Sequence, residues 1–277
     1  MDLCLIVKKT KKGVCLMGIM VDDCLCVGMD KAIDDAIDLL KKNNLTIKEE
    51  VGLSDYLSCE VVVSKDGTKA WLGQPHLMKK LKQKFGEAVW NLQVYKTLGT
   101  PGQGVMRPTS DDEKISEEMQ KTFWMGVGML LYLVKHSRPD IANAVRELSK
   151  SMDGASQAGY KELMRVIKFV IDTEDYGLKI EPKLEKNAWT MMVYSDSDYA
   201  GDKEKKINIT GYILCLLGVP ICWRSKGQKS VTLSSSEAEY VALSEAVKEV
   251  KFVIQILESI DIEIEYPIVV RVDNMGA

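Results

Sequence analysis

The hydrophobic period of this 277-residue chain changes twice, and those changes constrain the fold more than any single motif. Up to about residue 97, apolar runs of strand length alternate with two amphipathic stretches. From about residue 116 to 172 the period is helical throughout. From Trp189 it returns to strands, interrupted by one long helix. A chain written this way predicts a mixed α+β and α/β molecule with a helical block set between two sheet-bearing parts.

Residues 3–7, the basic turn "KKTKKG" and residues 14–21 read as a β-hairpin. Two adjacent aspartates, Asp22 and Asp23, fall at its end or in a tight turn before "CLCVG". Ile33, Ala36, Ile37 and Leu40 recur at helical spacing, which predicts a helix over about residues 30–43. Two strands follow, "YLSCEVVVS" and "KAWLGQ", joined by "KDG". Leu77, Met78, Leu81 and Phe85 mark a second helix with Lys79, Lys80, Lys82 and Lys84 around its other side. The order to this point is ββαββα. Residues 98–110, "LGTPGQGVMRPTS", are dense in turn formers and read as a linker.

Beyond it, one helix is expected over about residues 116–134. Pro139 opens the next, with Ile141, Val145, Leu148 and Met152 on one face. A third carries Tyr160, Met164, Ile167 and Ile171, and "DTEDYG" closes the block. "WTMMVYSDSD" is then a strand, and "TGYILCLLG" with "PICWRS" a hairpin around Gly218. Ser234-Ser235-Ser236-Glu237 forms a capping box that starts a helix running to about Ser259. Its inward residues are Ala242, Ala246, Val250 and Leu257, and "PIVVRVDN" is one more strand. The order of this last part is βββαβ.

Composition narrows the chemistry. A net charge of −3 and a pI near 5.6 leave nucleic-acid contacts to local basic patches. Seven cysteines, an odd number at irregular spacing, read as reduced intracellular thiols. Cys24 and Cys26 are too close for a zinc ribbon, and with His76 and His136 the only histidines no zinc site is expected. His136 sits at a helix junction and reads as structural. Trp71, Trp124 and Trp223 read as core or hairpin-face residues. No apolar run is long enough to span a bilayer and no signal peptide is evident, so no membrane partner is expected.

Three acids stand out by position. Asp196 ends a strand, Glu239 lies in the first turns of a helix, and Asp273 ends another strand. If the two strands are neighbours and the helix packs across them, the three carboxylates converge. Converging carboxylates repel each other unless a cation neutralises them, and hard oxygen ligands suit Mg²⁺ or Mn²⁺. Spacing alone fits surface acids better than a cation site, with the glutamate favoured by the helix dipole. Glu237 competes with Glu239, because residues two apart on a helix point about 200° apart and only one can face such a site. Arg224, Lys226 and Lys229 are expected in a loop beside the acids, placed to guide a nucleic-acid strand. Lys79 and Lys80 could lie along a duplex backbone or simply form a solvated helix face.

The motifs carry a resemblance. "VYSDSDYAGD", "KKINITGYI", "PICWRSKGQKSVTLSSSEAEYVALSEAVKE" and "VRVDN", in order over residues 189–277, resemble the ribonuclease H domain of copia-type LTR retrotransposon Pol polyproteins. "GIMVDDCLCVG" resembles motif C of reverse transcriptases, with Met20 where a tyrosine is usual. "YLSCEVVVSKDGTKAWLGQPHLMKKLKQKF" resembles the primer-grip hairpin and following helix, and "MGVGMLLYLVKHSRPDIANAVRELSKSM" with "KFVIDTEDYGLKI" the thumb and connection.

The resemblance implies a reverse-transcriptase palm segment with the primer grip over residues 1–97, a linker over 98–110, a helical thumb and connection over 111–188, and an incomplete ribonuclease-H-like domain over 189–277. It implies that Asp196, Glu239 and Asp273 are the first three of four catalytic, metal-binding acids, with the fourth acid and the closing helix lying past residue 277. It gives Asp22 and Asp23 the metal-binding role of polymerase motif C, with the rest of the palm lying upstream. The implied activity is two-metal hydrolysis of RNA in an RNA–DNA hybrid, with Mg²⁺ or Mn²⁺ as cofactor and DNA polymerase by ancestry only. Implied partners are the hybrid, a primer-template and the remainder of the polyprotein, in cytoplasmic virus-like particles and the nucleus. The alternative is an inactive remnant or truncated gene model that at most binds nucleic acid. An integrase is disfavoured, since there the essential glutamate follows the second aspartate strand, whereas Glu239 precedes Asp273.

Overall fold

The computed structural model describes residues 4–21, 23–50, 55–99, 108, 110, 114–184, 188–202 and 205–273. The chain begins with an antiparallel meander of β1 (Leu5–Thr10), β2 (Gly13–Met20) and β3 (Asp23–Gly28). Met20 pairs with Asp23 across the tip of the second hairpin. α1 (Asp30–Lys42) lays Ala32 and Ala36 on Cys15 and Met17 of β2. Gly28, at φ +157°, turns the chain from β3 toward α1, and a Cβ there would stand 2.2 Å from the Val14 carbonyl oxygen. Only glycine allows that approach.

A second sheet contains β4 (Asp55–Tyr56), β5 (Cys59–Val63) and β6 (Ala70–Gly73), followed by α2 (Pro75–Val89) with proline in its first turn. A fourth strand, β7 (Leu178–Ile180), pairs antiparallel with β6. It comes from the stretch expected to be helical thumb and connection. Three residues are too few to display a period, so β7 is fixed by its partner rather than by its own pattern.

Between these strands the helical block consists of α3 (Glu117–His136), a 3₁₀ turn at Pro139–Ile141, α4 (Ala142–Ser149) and α5 (Gln157–Asp172). Ser116 and Ser156 cap α3 and α5, each side-chain oxygen accepting from a backbone N–H three residues on. With α2 these helices enclose the largest core, around Phe85, Phe123, Leu130, Ile141, Leu163 and Ile167. Arg138 is 2% exposed within it. Its guanidinium forks onto Asp140, donates to the Thr173 carbonyl at 3.1 Å and hydroxyl at 2.9 Å, and lies over the rings of Phe169 and Tyr176. Trp124 is not a core residue: it stands 45% exposed on α3, its indole donating to the Met152 carbonyl. The linker at 98–110 falls mostly outside the described residues.

The last part is a sheet of β8 (Met191–Asp202), β9 (Ile207–Leu216), β10 (Val219–Gly227) and β11 (Val269–Arg271), in the order β10-β9-β8-β11. β8, β9 and β10 are antiparallel neighbours, whereas β11 runs parallel to β8. α6 (Ser235–Ser259) makes the crossover and packs on β8 and β9. Its buried stripe includes Ala238, Ala242, Ala246 and Val250, of which Ala246 and Val250 share a core with Met191, Val193, Tyr212 and Leu214. The helical block abuts this sheet: the Trp223 indole donates to the Val134 carbonyl at 2.8 Å, Arg146 reaches the Ser225 hydroxyl at 3.1 Å, and Lys150 pairs with Asp202 at 3.3 Å. Among the described residues, no helix is long and apolar enough to cross a membrane.

The buried Arg138 fork makes a stability prediction. Arg138→Met should lower the unfolding free energy by about 2–3 kcal/mol, because charge-assisted bonds to Asp140 and Thr173 are lost together. A urea denaturation midpoint read by far-UV circular dichroism checks it.

Candidate metal centre

The parallel register of β8 and β11 sets the site. Its last pair is Arg271 with Tyr194, so Asp273, two residues on, comes level with Asp196, two residues past Tyr194. The capping serine Ser234 starts α6 close by, and Glu239 is the fifth residue of that helix. The outcome is that Asp196, Glu239 and Asp273 each offer a carboxylate oxygen within 4.8 Å of the other two. Among the described residues this is the one group of three or more acids, histidines or cysteines with ligand atoms so close.

The three are held differently. Asp196 and Asp273 are open to solvent, whereas Glu239 is 4% exposed. One Glu239 oxygen, Oε1, accepts from the Ser197 backbone N–H at 3.1 Å and from the Ser197 hydroxyl at 2.9 Å. The other, Oε2, is buried and has no hydrogen-bond partner. A buried carboxylate oxygen without a donor is costly. A divalent cation among the three acids would satisfy it, and three carboxylate oxygens are the donor set that Mg²⁺ and Mn²⁺ prefer. Loss of hydration among its neighbours, and then the charge of Asp273, raise the Asp196 carboxyl above its ordinary pKa.

Glu237 does not compete for the site. It is exposed, its backbone N–H bonds the Ser234 hydroxyl at 3.1 Å, and its carboxylate accepts from the Leu233 N–H at 2.7 Å. It is the capping-box residue, and helical geometry turns Glu239 inward.

A groove of about 560 Å³ runs past the acids on the sheet face away from α6. Tyr194, Ile213 and Trp223 line it from the sheet, Asn143 and Pro139 from the helical block, with Asp196, Arg271 and Asp273 along one side. Arg224 lines this groove as well, but Lys226 and Lys229 do not. The expected basic loop is corrected: Arg224 and Lys226 lie on β10, whose pairing with β9 continues to Gly227, and only Lys229 follows the strand. The apolar alternation that marks a strand is hidden there by the run of basic and small residues. Lys79 and Lys80 are exposed on α2, which packs on α5 and α3, and they do not reach the groove. Asp23 is exposed at the start of β3 and, among the described residues, belongs to no three-acid group; Asp22 lies outside the described residues.

Sequence reasoning missed Ser197, Tyr194, Arg271 and Asn143. For Ser197 the signal was present: in "SDSD" the period of a strand sends Asp196 and Asp198 to one face and Ser195 and Ser197 to the other, toward α6. Asn143 and Pro139 come from a different part of the chain, and nothing local announces them.

No family model matches the chain, and no solved structure matches it. Curated proteins do. Over the whole chain it is 30% identical to the retrovirus-related Pol polyprotein from transposon RE2 of Arabidopsis thaliana and 30% identical to that from transposon RE1 of the same plant, covering 18% of each. It is 27% identical, again over its whole length, to the retrovirus-related Pol polyprotein from transposon TNT 1-94 of Nicotiana tabacum, covering 20% of it. The chain belongs to the retrovirus-related Pol polyproteins of copia-type transposons, and it spans about a fifth of the length of these relatives.

The raised Asp196 carboxyl fixes the sign of a pH effect. A folded pKa above the unfolded value gives stability that is complete below the unfolded carboxyl pKa of ~3.9 and is lost as pH rises through the folded value. Asp196→Asn removes that loss. Without divalent cations, the variant should melt above the parent at pH 7, and the difference should close toward pH 3. Thermal melts in a chelator across this range check it.

Proposed function

We propose that residues 189–273 carry a metal-dependent phosphodiesterase site of the ribonuclease H kind, acting on RNA in an RNA–DNA hybrid. The observation that carries this is the meeting of Asp196, Glu239 and Asp273 within 4.8 Å, with a buried, unpartnered oxygen on Glu239. The strand order β10-β9-β8-β11, with one parallel pair bridged by α6, supports the ribonuclease-H-like reading. Family membership makes a nucleic acid the natural substrate class.

Asp196, Glu239 and Asp273 would hold Mg²⁺ or Mn²⁺. Bound there, the ions supply a lowered pKa for attacking water and neutralise the charge that develops on the phosphoryl oxygens. The chain's own contributions are positional. Ser197 keeps Glu239 Oε1 occupied, while Oε2 is left buried without a protein donor. Arg271 and Arg224 bring positive charge to the groove that a phosphodiester strand would follow. A hybrid is distinguished from duplex DNA by its minor-groove 2′-hydroxyls and its shape. The β2–β3 hairpin is the polymerase motif by ancestry alone. The remainder of a Pol polyprotein is the natural partner, and particles in the cytoplasm and the nucleus are the natural setting.

Cleavage of an end-labelled RNA–DNA hybrid by the purified chain, in Mg²⁺ and in Mn²⁺, tests this. Cleavage is expected, and Asp196→Asn should abolish it. A folded chain that leaves the hybrid intact in both metals refutes the activity, and the chain is then a remnant.

A further inference from the structure

We propose that Ser197 and Gln228 are positioning residues that fix Glu239 for its cation before any cation binds. The proposal rests on the reading of the three acids as a cation site, and it concerns what holds them apart and aimed.

Ser197 acts on the side chain. It grips Oε1 twice, through its backbone N–H and its hydroxyl, and it neighbours Asp196 in the chain. Two of the three acids are thereby tied to one another through a single residue. Gln228 acts on the backbone. It is 7% exposed, and its Nε2 donates at 2.9 Å to the carbonyl of Ala238, the residue before Glu239. The first turns of a helix have no need of an outside donor at that carbonyl, so this bond serves to locate the turn. The same Nε2 donates to the Thr210 hydroxyl at 3.1 Å, and Gln228 Oε1 accepts from Asn208 at 3.2 Å.

Asn208 extends the hold. Its Oδ1 accepts from the Ala200 backbone N–H at 2.8 Å, and its Nδ2 also donates to Thr232, in the loop that leads into α6. Asn208, Thr210, Gln228 and Thr232 are all buried. The far end of β8, the start of β9 and the start of α6 thus share one buried network of neutral polar groups. Such a network, when every member is bonded, specifies a unique arrangement. Here the arrangement is the one that brings a Glu239 carboxylate oxygen within 4.8 Å of those of Asp196 and Asp273. Outer partners of metal ligands commonly act in this way.

The test is Mn²⁺ binding by calorimetry, paired with thermal melts, on the full chain. The variants are Ser197→Ala, Ser197→Thr, Gln228→Met and, as a destabilised control, Val250→Ala in the core beneath α6. Ser197→Ala should weaken Mn²⁺ binding by about tenfold, and Ser197→Thr, which keeps the hydroxyl, should restore it. Gln228→Met should weaken binding by a similar factor. Val250→Ala should lower the melting midpoint and leave Mn²⁺ affinity unchanged. Parent-like affinity in Ser197→Ala overturns the proposal, as does an equal loss in Val250→Ala, and in either case the cation site itself stands. Equal Mn²⁺ binding by the parent and Asp196→Asn removes the cation site and the proposal with it. Ser197→Ala keeps the question answerable if Gln228→Met does not fold.

Discussion

Three carboxylates within 4.8 Å of one another repel, and the last third of this chain is organised around withstanding that repulsion. The cost is uneven. Asp196 and Asp273 are open to water, which screens their charge, but Glu239 is enclosed and cannot move away. Enclosure comes from α6, which presents small residues to the sheet at every fourth position, Ala238, Ala242 and Ala246. Alanine lets the helix axis lie close to β8 and β9. A leucine at Ala238 would lift the first turns off the sheet and carry Glu239 away from Ser197.

The sheet order answers the same constraint from the other side. β8 runs for twelve residues, whereas β11 pairs for three and stops at Arg271. Beyond that point, among the described residues, β8 has no paired neighbour on its β11 side, and there Asp196, Asp273 and Glu239 converge. A longer β11 would close the opening with backbone hydrogen bonds. A parallel neighbour requires a crossover, and the crossover here is the helix that carries the third acid. One connection therefore supplies both the strand geometry and the enclosed ligand.

Much of this was legible in the sequence because each part is marked by strong local chemistry. The capping box Ser234 to Glu237 locates the start of α6 to within a residue, and from there helical period alone separates the capping Glu237 from the inward Glu239. The helices of the middle block follow their apolar stripes, and Pro139 marks its turn. What was not legible depends on partners distant in sequence. β7 is three residues long and exists because β6 offers an edge. "PICWRS" already put Arg224 at the end of a hairpin strand, but Lys226 read as loop because basic and small side chains mask the continuation that β9 holds. Trp124 occupies an apolar stretch of α3 but falls between the inward positions Phe123, Val127 and Leu130, so its ring stays half in solvent. The convergence of the acids could be anticipated only as a condition, because adjacency of β8 and β11 is a property of the whole sheet.

The groove beside the acids joins these themes. Its floor belongs to the sheet and one wall to the helical block, so its width depends on how the two parts meet. That contact is specific: the Trp223 indole finds a helix carbonyl, Arg146 a strand hydroxyl, and Lys150 the nearly buried Asp202. On the proposed function, a nucleic-acid strand entering this groove carries negative charge toward three carboxylates, two of them exposed. Arg271 and Arg224 alone cannot offset that repulsion. The same acids that oppose the strand when bare would attract it once they hold divalent cations, since the local charge then changes sign. Affinity for the strand and occupancy by the cation are therefore one coupled equilibrium, in which each ligand raises the affinity for the other by the same factor.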